Sequence, residues 1–191
     1  MQAVANPDEE KQRAERLRAE YINLGFQYYM LGRCGVAAWA NPVAGNQFHH
    51  ATEMLLKGGL VAHTTEDERI KLGHKLPRIW KKFKSHYDPS NQLARFDALV
   101  RSLHKYEDIR YPEKIVQQGM ASSFQFGSGP PPKASGKGFR DVPTFHLAVR
   151  EVDATVKAIC VACRVNPKFF TDRFQPPGST CLRRENAEDL F

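Results

Sequence analysis

Ala14, Leu17, Tyr21, Leu24, Tyr28 and Leu31 recur at alternating steps of three and four. That rhythm puts all six on one stripe of an α-helix and does not suit a strand, whose side chains alternate with a period of two. Glu9, Lys11, Arg13, Glu15, Arg16 and Arg18 fall largely between them as the solvated side. The spacing therefore predicts a long amphipathic helix from about Asp8 to Cys34.

The same rhythm returns along the chain. Pro42 suits the first turn of a second helix with Ala44, Phe48, Ala51 and Leu55 inward, stopped after Lys57 by Gly58 and Gly59. Thr65 and Glu68 have the spacing of a capping box for a short helical turn. Leu76, Ile79, Trp80 and Phe83 mark a third helix over about His74 to Lys84. Asp88-Pro89 starts a fourth, which carries Leu93, Phe96, Val100, Leu103 and Tyr106. Phe145, Val149, Val152, Val156, Ile159 and Cys163 define a fifth, from about Pro143 to Arg164.

No alternating strand pattern of useful length stands out. The expectation is an all-α, up-and-down bundle of about five helices forming a single domain over residues 8–174. Residues 119–138, rich in Gly, Pro and Ser, are expected to form a flexible loop, and residues 175–191 a loose tail.

Several classes are set aside at this level. No run of 18 apolar residues exists, so no membrane span is expected. The stretch from Met1 to Arg18 is charged and has no apolar signal core, which points to a cytoplasmic protein. Cys34, Cys160, Cys163 and Cys181 show no disulfide framework. Cys160 and Cys163 form a C-x-x-C pair without a second pair, and read as small apolar residues on a buried helix face. No phosphate loop, dinucleotide fingerprint, nucleophile elbow or H-E-x-x-H occurs, and no cofactor or metal is expected. The net charge is +7 and the pI about 9.3, which favours anionic partners such as RNA or a nucleotide.

Two segments carry the candidate chemistry. In the first, His50, Glu53 and Lys57 share a helix face, and His49 is four residues from Glu53. Imidazoles beside a carboxylate can move a proton or bind a metal. In the second, His74, Lys75, Arg78, Lys81 and Lys82 fall within about three helical turns, and arginine and lysine there can clamp phosphate.

Three stretches read together resemble the HEPN family, the higher eukaryote and prokaryote nucleotide-binding domains. They are Asn46-x-Phe48-His49-His50-Ala51-x-Glu53-Met54-Leu55-x-Lys57, Gly73-His74-x-Leu76, and Ile109-Arg110-Tyr111-Pro112. The resemblance covers roughly residues 15–115. It implies a helical bundle, a homodimer, and a role around nucleotides or RNA or in protein interaction. The candidate ligand surface, from the clustering of these groups on the second to fourth helices, is His49, His50, Glu53, Lys57, His74, Lys75, Arg78 and Arg110. Ribonucleases of that family carry Arg followed, after roughly four to six residues, by His. Arg69 with His74, and Arg140 with His146, match this bare spacing, which a basic chain also produces by chance. No His follows Arg110 at that distance. A non-catalytic module is therefore the primary expectation, and a metal-independent endoribonuclease the alternative.

Overall fold

In a computed structural model, residues 7–126 and 143–186 are described. They form nine helices and one pair of strands, so the chain is mainly helical as the spacing predicts. Helix α1 (Pro7–Ala37) precedes α2 (Asn41–Leu60), a 3-10 turn (Val61–His63), α3 (Glu66–Leu72) and α4 (Leu76–Tyr87). A second 3-10 turn (Gln92–Phe96) leads into α5 (Asp97–Lys105) and α6 (Pro112–Gln118). Strands β1 (Ala121–Gln125) and β2 (Thr144–Ala148) follow, then α7 (Val149–Cys163), α8 (Lys168–Thr171) and α9 (Gly178–Arg183).

Helix α2 is the central rod. Gly25 of α1 lies on Leu55, Gly32 on Phe48 and Gly35 on Ala44, so α1 and α2 run antiparallel along their length. Helices α4, α5 and α7 close the other sides of α2, and α8 and α9 pack on α1. Phe26, Phe48, Leu55, Leu56, Leu76, Ile79, Phe83, Leu103 and Val156 meet in the shared core.

Four local expectations are met. The Thr65 backbone N–H donates to Glu68 Oε2 at 2.9 Å, and the Glu68 N–H to Thr65 Oγ1 at 3.3 Å, which closes the capping box. Leu76, Ile79, Trp80 and Phe83 all point inward. Leu93, Phe96, Val100, Leu103 and Tyr106 are buried too. Cys160 and Cys163 are free, buried thiols, and burial raises each to a pKa of about 12.

Other expectations need correction. The α1 stripe read from the sequence is not the buried one: Leu24 is 41% and Leu31 48% exposed. The core takes Ile22, Gly25, Phe26, Tyr29, Gly32, Arg33 and Val36 instead. Gly58 and Gly59 do not stop α2 but lie inside it. A Cβ at Gly59 would stand 2.6 Å from Cys163 Sγ and 2.8 Å from Phe83, so glycine there serves close approach. Pro89 does not open a helix: Asn91 stands at the N-cap of a 3-10 turn that begins at Gln92, and Asp88 reaches it from outside, accepting from the N–H groups of Gln92 and Leu93 at 2.7 and 2.8 Å.

The expected fifth helix begins six residues late, at Val149, because 144–148 pair as a strand with 121–125. The pair is parallel, with Ala121 opposite Thr144 and Gln125 opposite Ala148. Part of the expected flexible loop is thus ordered strand, and its residues 127–138 lie outside the described residues. The tail is not loose up to Asn186. Helix α9 buries Leu182, and Arg33 donates to the carbonyls of Cys181 (2.9 Å) and Arg184.

Candidate functional site

The candidate residues gather around one carboxylate. Glu53, in the middle of α2, has no solvent exposure. One helical turn on, Lys57 Nζ donates to Glu53 Oε1 at 2.7 Å. His74 stands between α3 and α4, where the Gly73 turn releases the chain. Its Nδ1 is 3.0 Å from Oε1 and 3.1 Å from Oε2 of Glu53. A carboxylate only accepts, so His74 Nδ1 carries the proton. The His74 side chain is 59% exposed, which makes it the solvent-facing member of a buried-carboxylate pair.

Glu53 Oε2 also faces two more rings. His49 Nε2 is 3.8 Å away and His50 Nδ1 3.9 Å. His49 is buried, and its Nδ1 lies 3.2 Å from the Leu103 carbonyl oxygen. A carbonyl accepts only, so Nδ1 is protonated and Nε2 of the neutral ring is a bare lone pair. That Nε2 has no hydrogen-bond partner among the described residues. Arg110, in the turn after α5, donates to His50 Nε2 at 2.8 Å, which leaves the His50 proton on Nδ1. Tyr28 of α1 packs on His50, and His104 of α5 stacks on His49 at 6.0 Å between ring centres.

The charge states follow. Burial alone would raise the Glu53 carboxyl, but the hydrogen bond and charge of Lys57, joined by His74, outweigh it and hold the carboxyl below its ordinary value. His49 and His50 are both held below theirs, first by burial. For His50 the neighbouring Arg110 charge adds to the effect. The centre is one ionised carboxylate, two neutral imidazoles, and Lys57 and Arg110 at its edges.

The structure therefore brings together six of the expected ligand residues: His49, His50, Glu53, Lys57, His74 and Arg110. Lys75 and Arg78 are exposed, and Arg78 lines a second feature that Lys75 does not. Between α3 and α4 runs a groove of about 490 Å³ lined by Thr64, Lys71, Arg78, Lys81, Lys82 and Glu68, among others. Its one carboxylate, Glu68, is engaged by the Thr65 cap. Arg78 Nη1 donates to the Lys71 carbonyl at 3.1 Å, one of the five donors of its guanidinium.

The Arg-His pairs fare differently. Arg69 is buried, and its guanidinium is engaged by the carbonyl and hydroxyl of Thr64, so it serves the α3 cap region. Arg140 lies outside the described residues. His146 sits on β2, with Nδ1 2.8 Å from Ser123 Oγ of β1, and burial lowers its pKa.

Sequence reasoning placed Leu103 in the core but missed its carbonyl as a partner of His49, and missed His104 and the α5 wall of the site. His104 and Glu107 at i, i+3 were the available signal. It also missed a buried cluster elsewhere. Arg33 Nη1 is 2.5 Å from both Asp153 oxygens, and the Tyr29 hydroxyl donates to the same carboxylate. Arg33 among apolar residues late in α1, and Asp153 between Val152 and Ala154 in α7, were its only marks.

Comparison of the chain with protein-family models, with curated proteins and with solved structures finds no match. Among the described residues, no helix is long and apolar enough to cross a membrane.

Proposed function

We propose that this chain is a non-catalytic, HEPN-like helical module that binds the phosphates of RNA or a nucleotide and works as a homodimer. The observation that carries the reading is the α3–α4 groove, where Lys71, Arg78, Lys81 and Lys82 face one capped carboxylate. Four cations in a concave site suit a phosphate chain, and the guanidinium fork suits paired phosphate oxygens. Lys75 and His74 extend the basic edge toward the Glu53 cluster. The homodimer finds support in α1. Leu17, Leu24 and Leu31 stand seven residues apart, as do Ala14, Tyr21 and Tyr28, with Leu24 and Leu31 left exposed. That is the seam a second helix of the same sequence fits.

A gel-shift series with single-stranded RNA at several salt concentrations tests the binding. Changing Lys75, Arg78 and Lys82 together to alanine should weaken binding and lower the salt slope by about 2, since each phosphate contact contributes roughly 0.7. Equal binding by the triple variant rejects the reading.

A metal-independent ribonuclease is the second reading, and one observation favours it. His74 is exposed and carries a buried carboxylate on its Nδ1, the arrangement of an oriented general base. Arg69, turned onto Thr64, does not complete the pair. Incubation with a mixed RNA pool, with and without chelator, decides between the two readings. Cleavage that disappears in His74→Ala favours the enzyme.

A further inference from the structure

We infer that His49 Nε2, His50 Nδ1 and Glu53 Oε2 form a binding site for a divalent metal ion of the zinc class. These three ligand atoms all lie within 4.8 Å of one another. The buried His49 Nε2 points a bare lone pair at a carboxylate oxygen 3.8 Å away. Two acceptors facing each other in a buried site repel, and a cation between them removes the conflict. Ligand atoms of a tetrahedral zinc stand about 3.3 Å apart, for bonds of roughly 2.0–2.1 Å. The two separations from Glu53 Oε2, 3.8 and 3.9 Å, need a contraction of about 0.5 Å, and the two imidazole nitrogens, within 4.8 Å of each other, close by side-chain rotation as the ion enters. Two imidazoles and one carboxylate leave a fourth position open, toward the side where His50 is part exposed.

The surroundings are those of a supported site. The His49 Nδ1–H donates to the Leu103 carbonyl, the bond that fixes ring orientation in metal-binding histidines. Lys57 donates to the other oxygen, Oε1, and the His74 Nδ1–H, 3.0 Å from Oε1 and 3.1 Å from Oε2, keeps its bond to Oε1 when Oε2 turns to the ion. His49 and Glu53 already have the protonation states a ligand needs. His50 must change: its proton leaves Nδ1 for Nε2 through solvent, and Arg110 lets go of Nε2, which then donates. The number of protons stays constant. Lys57 and Arg110 add positive charge nearby, so Arg110 opposes the ion both by charge and by its hydrogen bond.

Titration of the chelator-stripped full chain with Co²⁺, read by visible absorption, and with Zn²⁺, read by calorimetry, tests the site. One equivalent is expected, with the bands of a low-coordinate Co²⁺ ion. His49→Ala and His50→Ala should each weaken Zn²⁺ binding by at least about tenfold. His50 is the decisive variant, because its ring is at the surface edge and circular dichroism can confirm an intact fold. His63→Ala is the control, since His63 and His86 stack in the open at 4.6 Å and offer an adventitious surface site. Arg110→Ala should tighten Zn²⁺ binding severalfold, a gain that a purely structural histidine cluster does not give. No uptake of either ion overturns the inference. So does uptake that survives His50→Ala, uptake lost in His63→Ala, or no gain in Arg110→Ala.

Discussion

Glu53 is a carboxylate sealed in a helical core whose ionised form is kept by Lys57 and His74. Removing one partner of a buried pair strands the other, which typically costs about 3–5 kcal/mol. Glu53→Gln should lower the unfolding free energy by about 3 kcal/mol in urea titration, the low end because Lys57 retains some access to water. The histidines set a pH dependence of their own. Unfolded, His49 and His50 take up protons near 6.5, whereas folded they do so only at lower pH. The unfolded state binds more protons across that interval, so stability should fall as pH drops below 6.5. Glu53 acts lower still. Its contribution is present above its ordinary 4.5 and is lost as pH falls through its depressed folded value. Urea midpoints from pH 7.5 to 4 should decline, and His49→Gln should flatten the upper part of that curve.

At the scale of elements, α1 explains how the sequence both informs and misleads. Apolar residues at three-four spacing occur on two of its faces. One is rich in Leu and Tyr, and a hydrophobic count prefers it. The other, which α2 covers, contains Gly25, Gly32 and Arg33, which such a count discards. Small residues win burial because they let the helices touch, and Arg33 wins because Asp153 waits opposite. The strand at 144–148 was hidden for a related reason: Phe145 and Val149 fit a helical step equally well. Two expectations follow. Asp153→Ala should cost about 3–5 kcal/mol by leaving Arg33 charged and buried, read as a shift in the thermal midpoint. On the proposed pairing through α1, the parent chain should sediment as a dimer, and Leu24→Lys with Leu31→Lys as a folded monomer, in sedimentation equilibrium.

Across the whole molecule, helical class and much of the core were legible, because burial patterns survive in the spacing of Leu76, Ile79, Phe83, Val100 and Leu103. The site was legible only in part. His49, His50, Glu53 and Lys57 share one helix, so local geometry sufficed for them. Nothing local joins Glu53 to His74, 21 residues on, or His50 to Arg110, 60 residues on. Those links exist because α3, α4 and α5 fold back over α2. The packing of α3 on α4 likewise forms the basic groove. Raising salt should weaken the proposed RNA binding at the exposed groove while leaving the proposed Zn²⁺ uptake at the sheltered Glu53 centre much less affected.

The acceptors that satisfy the α1 guanidinium lie 120 to 151 residues downstream. On a ribosome adding about 5–20 residues each second, Arg33 waits on the order of ten seconds for them. Throughout that wait a nascent chain holds an unmatched cation where its interior must later close. Slowing translation after α1 should therefore lower the yield of native protein, measured as the folded fraction from a message with rare codons placed before Asp153.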